Sequence, residues 1–340
     1  MGTGSMRAVV VEAAGTAPVV RWVDRPTLGE TDALVRVTAS GLCATDLKIM
    51  AGDVPTVAFP HILGHEVAGI VEAVGGDATI DVGTAVAVPM FAPCGRCIPC
   101  GSGIDQLCAN GGGQVGFDRP GGLAEYIAVP ARVLLPLPAG VPAVQAALIG
   151  DCLSTVWNAI RKARPEAGET AVVVGAGGIG LHVVQELHRR GTKVVVIEPD
   201  RARRRLAQQL GAIAGIDPSA GVKLTSVIED TGLRQPAVLV DCAGRAAIPW
   251  ESLAPGARVV VVGYRPGAMV EVPVLTLVGS QISLLGVRAA SRADAEEALD
   301  ALASGLIEPV ISRTASLDDA PAVLAELAAG SLLGRAVVVP

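Results

Sequence analysis

Apolar positions along this chain change period several times, and each change marks an element. From Gly64, "GHEVAGIVEAVG" alternates apolar and polar residues and predicts a half-buried strand opened by His65. Ala171 to Val174 is a continuous apolar run, read as a fully buried strand. Glycines follow at 175, 177 and 180, and a helical period then runs through Val184 and Leu187. "KVVVIEPD" predicts the next strand, with Glu198 at its end. "AVLVDCAG", "RVVVVGY" and "SLLGV" to Val287 predict further strands of the same sheet. Strands alternating with helices define an α/β class, here a doubly wound parallel sheet.

Composition narrows the picture. At 340 residues the chain exceeds one ordinary core and predicts two domains. Hydrophobic residues make up 51% and glycines number 41, as tight α/β packing requires. The net charge of −6, with no basic stripe, argues against a nucleic-acid partner. The longest uncharged run, Val133 to Gly150, is interrupted by Pro136, Pro138 and Pro142, and reads as an extended linker rather than a membrane span. The leading "MGTGS" lacks the basic and apolar regions of an export signal, so the fold is expected to begin at Met6 and the compartment to be the reducing cytoplasm.

Four of the seven cysteines, Cys94, Cys97, Cys100 and Cys108, fall within "PCGRCIPCGSGIDQLC". A disulfide staple is disfavoured in a reducing compartment. Four thiolates around tetrahedral Zn²⁺ fit this spacing, and a closed sulfur shell leaves no place for substrate, so the metal is expected to be structural. An iron–sulfur cluster and a redox dithiol remain as alternatives. Upstream, "GLCATDLKIMAGD" and "FPHILGHEVAGIVEAVG" hold Cys43 and His65, a soft and a borderline metal ligand. Either alone reads equally as a packed core residue.

In order along the chain, "GLCATDL", "GHEVAGIVEAVG", the four-cysteine segment, "GGLAEYIAVP", "VVVGAGGIG" and "GRAVVVP" resemble the zinc-dependent medium-chain alcohol dehydrogenases, from Met6 to Pro340. The resemblance implies that Cys43 and His65 are ligands of a second, catalytic zinc. It makes Glu66 an acid that sits behind that metal or approaches it, and Thr45 the hydroxyl bonded to the substrate oxygen. The third ligand comes from "IGDCLSTVWNAI", where the register favours Asp151 over its neighbour Cys152 and sets Thr155 against the nicotinamide. Zinc with three protein ligands keeps a position at which an alcohol becomes acidic, and Thr45 can both accept and donate the proton. Some members continue this relay with a His three residues after the hydroxyl. Lys48 stands there in this chain, so the outer relay stays open, with His61 as a further candidate.

The glycine pattern between strand and helix, with an acid about twenty residues on, is the dinucleotide fingerprint. Gly175, Gly177, Gly178, Ile179 and Gly180 are therefore expected to meet a pyrophosphate at a helix N-terminus. Glu198 favours NAD, because a carboxylate accepts from a free ribose 2′-hydroxyl and repels a 2′-phosphate. Of the run Arg201, Arg203, Arg204 and Arg205, Arg203 matches a basic residue near the adenosine ribose. The resemblance further implies a β-rich, GroES-like catalytic domain from residues 1–152 and 306–340, a Rossmann domain from 153–305, and an active site in a cleft between them. Two zinc ions per chain and a homo-oligomer, tetramer or dimer, are implied as well. The reaction expected is reversible oxidation of an alcohol by NAD, with Phe91, Leu47 and Trp157 as candidate walls for a hydrophobic substrate. A polyol or amino-alcohol dehydrogenase, or a non-catalytic nucleotide-binding protein, are the alternatives. Cys242 is expected to be a buried small residue.

Overall fold

The computed structural model describes residues 4–244 and 248–340. They form two compact units, one running to Ser154 and resuming over Ala289–Pro340, the other Thr155–Arg288.

The first unit is built from strands β1 (Ser5–Val11), β2 (Val19–Asp24), β3 (Asp32–Leu42), β4 (His61–Ile62), β5 (Glu66–Val74), β6 (Ala85–Val88), β7 (Tyr126–Pro130) and β8 (Leu135–Pro136). Helices α1 (Ala44–Ala51), α2 (Ile98–Gly101) and α3 (Ala143–Ala146) interrupt them. Along β3, Ala33, Val35, Val37 and Ala39 face the core while Arg36 is exposed, the period of two that one buried face demands. The last residues, Ala39 to Leu42, are buried without alternation. The reason lies in two flanking partners. β5 runs antiparallel on one side with Gly41 opposite Glu66, and the closing strand of the chain runs antiparallel on the other, with Ala336 opposite Leu42. The end of β3 and the start of β5 are thus adjacent, which brings Cys43 beside His65 and Glu66. Leu42, Ile49, Leu317, Leu324 and Val338 share one core cluster, fixing α1 just beyond Cys43.

Helix α4 (Cys152–Ala163) leads into the second unit. There β9 (Thr170–Val174), α5 (Gly178–Arg189), β10 (Lys193–Ile197), α6 (Arg201–Gln209), β11 (Ala212–Ile216), α7 (Leu224–Thr231), β12 (Val238–Asp241), β13 (Arg258–Val261), α8 (Val274–Gly279) and β14 (Ser283–Gly286) follow in turn. The strands form one parallel sheet in the order β11-β10-β9-β12-β13-β14. The order reverses at β9, so the turns leaving β9 and β12 open at the switch point where nucleotides bind in such sheets. Val172, Val195, Leu239 and Val259 pack with Leu224 and Ile228 of α7 in the core. This is the expected doubly wound sheet; β11, whose Ile213 is exposed and whose Gly215 breaks the apolar run, had no signal strong enough to predict it.

The chain then returns to the first unit through α9 (Arg292–Ala303), β15 (Ile311–Ser316), α10 (Ala320–Ala328) and β16 (Arg335–Val339). Helix α9 thus lies with the first unit, where the sequence reading had left it in the nucleotide half up to residue 305. Arg292 anchors it: its N–H donates to Asp105 Oδ1 at 3.1 Å and its guanidinium to the carbonyls of Arg132 and Val133 at 2.9 and 3.2 Å. Three other expectations change. β1 begins at Ser5, one residue into the leading "MGTGS", because Ser5 pairs with Asp24; of the rest of that leader, residues 1–3 lie outside the described ones. The stretch from Val133 to Gly150 is not an extended linker, since it holds β8, α3 and a buried 3-10 turn. Cys242 is half-buried, being on the turn after β12 rather than inside the sheet. No helix among the described residues is long and apolar enough to cross a membrane.

Gly180 shows how tightly the turn after β9 is packed, since a Cβ there would stand 1.8 Å from the Gly175 carbonyl oxygen. Gly180→Ala is expected to destabilise the second unit by about 1–3 kcal/mol, measured by denaturant unfolding; an unchanged midpoint would mean the helix can move away freely.

Candidate functional site

Cys43 follows β3 as the N-cap of α1, and Asp46 closes the first turn: its Oδ2 accepts the Cys43 N–H at 2.9 Å. The other oxygen of Asp46 lies 3.3 Å from the Gly64 N–H and 3.3 Å from His65 Nδ1, so one buried acid fixes both candidate ligands. Asp151 arrives from the turn before α4. A Cβ on Gly150 would stand 2.9 Å from both Glu66 Cα and the His65 carbonyl, and only glycine allows that approach. Asp151 Oδ2 stands 3.6 Å from His65 Nε2 and 3.9 Å from Cys43 Sγ. Ligand atoms of Cys43, His65, Glu66 and Asp151 all lie within 4.8 Å of one another, and all four residues are buried.

Behind them Arg335, the only charged residue of β16, reaches Glu66 Oε1 at 3.0 Å and donates to the Leu42 carbonyl at 3.2 Å. A Cβ on Gly41 would lie within 2.1 Å of Glu66 Oε2, so this acid occupies the space a side chain would take. Burial opposes ionisation of Cys43, but the charges of Arg335 and His65 bring its thiol down to about 7. Burial alone would lower His65 too, yet the Asp46 and Asp151 carboxylates and the Cys43 sulfur hold it well above its ordinary value. Glu66 is pushed well above the usual carboxylate range, first by burial and then by Cys43 and Asp151, against the pull of Arg335. Burial pushes the Cys152 thiol up to about 12, the state of a neutral packed neighbour.

The group is a poor set of partners for itself. Neither ring nitrogen of His65 and neither oxygen of Glu66 attains hydrogen-bond geometry with the protein, and buried polar atoms in that condition call for a partner of another kind. Thiolate, imidazole and carboxylate donors around one point suit zinc.

In the first unit's cysteine lobe the fit is metric. Four sulfurs about 2.3 Å from a tetrahedral centre stand about 3.8 Å apart. The separations are 3.9 Å for Cys94–Cys100, 3.4 Å for Cys97–Cys100 and 3.7 Å for Cys97–Cys108, and none of the seven cysteines is in a disulfide. The Arg96 backbone N–H helps pull Cys94 down to about 6. The Cys100 N–H favours a Cys97 thiolate as well, but the crowded thiols and burial outweigh it and push Cys97 up to about 12. Without a cation the cluster resists full ionisation; Zn²⁺ would satisfy all four sulfurs.

In the nucleotide unit, Gly175 takes φ of 88° and donates its N–H to the Ile197 carbonyl at 2.8 Å. Gly177 caps α5 with no side-chain bond, leaving Gly178, Ile179 and Gly180 in its first turn. Glu198 is 4% exposed; its Oε2 accepts the Ala176 N–H at 2.7 Å and its Oε1 the Asp200 N–H at 3.0 Å. Arg203 is half-buried in α6, its N–H capped by Asp200. Arg204 is spent on the Glu198 and Pro199 carbonyls and Asp217.

Of the remaining residues singled out, Thr45 is half-buried in the first turn of α1 and Thr155 buried in α4. Lys48 is half-buried, and His61 is buried with Nε2 2.9 Å from the Gly116 carbonyl, which ties it to the fold. Leu47 packs against the α1 core and Trp157 is buried. Phe91 lines a cavity of about 240 Å³ with Met90, Cys94, Arg132, Val133 and Ala289. Sequence reasoning missed Asp46 and Arg335. The first had a capping signal, an acid three residues after the N-cap; the second stands out as the one cation in an apolar closing strand.

A parallel nucleotide sheet, a β-rich unit and two clusters of metal-ligand type define a metal-dependent, dinucleotide-linked oxidoreductase. The family patterns "Alcohol dehydrogenase GroES-like domain" and "Zinc-binding dehydrogenase" match residues 29–139 and 178–304. An alcohol dehydrogenase of Geobacillus stearothermophilus is 32% identical over 98% of both chains. The 2-dehydro-3-deoxy-L-galactonate 5-dehydrogenase of Pseudoalteromonas atlantica is also 32% identical, over 84% of this chain and 85% of that one. Among solved structures, an Escherichia coli alcohol dehydrogenase (rspB) in complex with NADH superposes with a TM-score of 0.91 over 100% of both chains at 25% identity. The chain belongs to the zinc-type medium-chain dehydrogenase/reductase family.

The geometry separates Asp151 from Cys152. Asp151→Ala is expected to lower zinc from two ions per chain to about one, with the cysteine lobe still loaded, whereas Cys152→Ala keeps both, as read by elemental analysis of unchelated protein. The reverse pattern would put the ligand one residue later. Cys97→Ser is expected to empty the lobe and impair folding.

Proposed function

We propose that this protein is an NAD-dependent zinc alcohol dehydrogenase that interconverts an alcohol and its aldehyde or ketone. The observation that carries this is the convergence of Cys43, His65 and Asp151 on one buried point, backed by Glu66. Cys43, His65 and Asp151 would hold the catalytic zinc; Cys94, Cys97, Cys100 and Cys108 would hold the structural one. Bound at the first site, zinc supplies a Lewis acid that makes an alcohol hydroxyl acidic near neutral pH, and NAD⁺ accepts the hydride. Asp46 orients His65 by facing its Nδ1, leaving Nε2 turned to the metal position. Thr45 Oγ1 accepts the substrate proton and hands it outward. Arg335 holds Glu66 back from the metal position through their ion pair.

The coenzyme side rests on Gly175 to Gly180, with Thr155 against the nicotinamide, Arg203 near the adenosine ribose and Glu198 deciding for NAD. The relatives include a 2-dehydro-3-deoxy-L-galactonate 5-dehydrogenase as well as alcohol dehydrogenases, so the reading extends to the reaction and leaves the alcohol to a substrate panel. Two domains, with α9 in the first, and a cytoplasmic setting complete the reading.

The assembly proposed is a homo-oligomer, and features of the second unit support it. Strand β14 is a sheet edge, and beside it in sequence Val274, Leu275 and Val278 are 70%, 86% and 67% exposed on α8. An open edge next to bare apolar side chains is a template for a second copy.

The test of function is a panel of primary, secondary and polyhydric alcohols with NAD⁺, followed by absorbance of the reduced nicotinamide. Turnover of at least one alcohol is expected; none, with two zinc ions bound, would end the reading. NAD⁺ is expected to be preferred over NADP⁺ by about tenfold or more in kcat/KM, and Glu198→Ser to narrow that preference. Equal use of NADP⁺ would mean that the arginines of α6 override Glu198. For assembly, Leu275→Asp with Val278→Asp is expected to give a smaller particle by light scattering with the zinc content unchanged.

A further inference from the structure

We propose that Glu198 is a positioning residue for the phosphate-binding turn, holding it in binding geometry before any coenzyme arrives. The inference rests on the dinucleotide reading above and adds a second role to the residue. β9 and β10 leave the sheet side by side, with Val174 opposite Ile197. The turn after β9 is tied to the end of β10 by two successive N–H groups. Gly175 donates to the Ile197 carbonyl at 2.8 Å and Ala176 to Glu198 Oε2 at 2.7 Å. The first tie is backbone to backbone and independent of side chain. The second exists only because a carboxylate of this length crosses from one strand exit to the next.

Both ends of the bond are buried, Ala176 at 0% and Glu198 at 4% exposure, so water does not readily replace a lost partner. The other oxygen accepts the Asp200 N–H at 3.0 Å, which holds the carboxylate against rotation and places it between the turn and the start of α6. A carboxylate has about four acceptor sites, so two backbone bonds leave room for ribose hydroxyls. With Gly175 and Ala176 committed to β10, the turn sets the start of α5, whose N-cap Gly177 brings no side chain, where a pyrophosphate would meet it. Fixing the turn in advance removes an ordering cost from binding. Exchanging Glu198 for a small neutral residue would relieve repulsion of a 2′-phosphate and release the turn together, so NAD⁺ affinity falls while NADP⁺ affinity does not rise.

Glu198→Asp separates the two roles. It keeps the charge, yet its carboxylate falls short by one carbon–carbon bond of about 1.5 Å. In the coenzyme-free protein, amide hydrogen exchange at Ala176 is expected to speed up by about fivefold or more, with core amides of β9 unchanged. Affinity for ADP-ribose, by calorimetry, is expected to fall by a similar factor of about five. Affinity for adenosine, which has the ribose without the pyrophosphate, is expected to stay within about twofold by NMR titration. Glu198→Gln keeps the length but offers one acceptor oxygen to two N–H donors, so exchange at Ala176 is expected to be slower than in Glu198→Asp though faster than in wild type, with adenosine weakened. The proposal is overturned if Ala176 exchanges at the wild-type rate in Glu198→Asp, if Gln exchanges as fast as Asp, or if ADP-ribose and adenosine weaken by the same factor. Wild-type protein that binds no ADP-ribose would overturn the dinucleotide reading instead, and the exchange rates would still decide whether the tie holds the turn.

Discussion

The structure turns on a contest between burial and charge at the end of β3. Cys43, Asp46, Glu66 and Asp151 are drawn together around His65 away from water, and Arg335 is the cation set among them. Removing one partner of such a buried pair costs about 3–5 kcal/mol, so the Glu66–Arg335 contact constrains which strands can lie together. It sits where three of them meet, since Arg335 opens β16, Leu42 closes β3 and Glu66 opens β5. A site of this kind gains little stability by itself. What it enforces is register, because a one-residue slip of β5 against β3 would turn Glu66 away from Arg335.

The same device recurs at smaller scale. Asp46 accepts backbone N–H groups from Cys43 and Gly64, Asp241 from Ala243 and Gly244, and Glu198 from Ala176 and Asp200. Each acid stands where regular structure ends and a candidate binding loop begins. Backbone N–H groups just past an element have no partner inside it, and a short buried carboxylate supplies one while setting the path of the loop. In both units, then, the residues that shape the loops carry the same charge as the residues proposed to act on them. That explains why the sequence is rich in acids at turns whose strands are almost wholly apolar.

Much of this could be read beforehand, because periodicity and spacing are local. The strand before Gly175 and the cysteine lobe each occupy a short, patterned stretch, whereas Cys43, His65 and Asp151 lie far apart in the chain and were named by the family resemblance. What stayed out of reach depended on partners far along the chain. Arg335 is nearly 270 residues from Glu66, and nothing within "GRAVVVP" says that its cation is buried against β5. Helix α9 was left with the nucleotide half because its own period is the same in either unit; the bonds from Arg292 to Asp105, Arg132 and Val133 decide it. Glu198 was identified by type and position, but the reach of its side chain to Ala176 follows from two strand exits lying side by side, a fact of the sheet and not of the segment.

The cysteine lobe illustrates how a cluster suited to a closed metal shell can also shape a cavity. A metal closed off by Cys94, Cys97, Cys100 and Cys108 has no open position, yet the loop it closes carries Asp105, and Asp105 caps the first N–H of α9 through Arg292. Helix and lobe line the same cavity from two sides, with Cys94, Gly95 and Asp105 from one and Ala289 to Arg292 from the other, and Phe91 lines it too. The width of that cavity is therefore set by how the lobe is held, and how the lobe is held depends on four thiolates that would repel one another without a cation between them. The lobe thus fixes one wall of a cavity whose facing wall is the start of α9, and the bond from Arg292 N–H to Asp105 Oδ1 holds the two walls together.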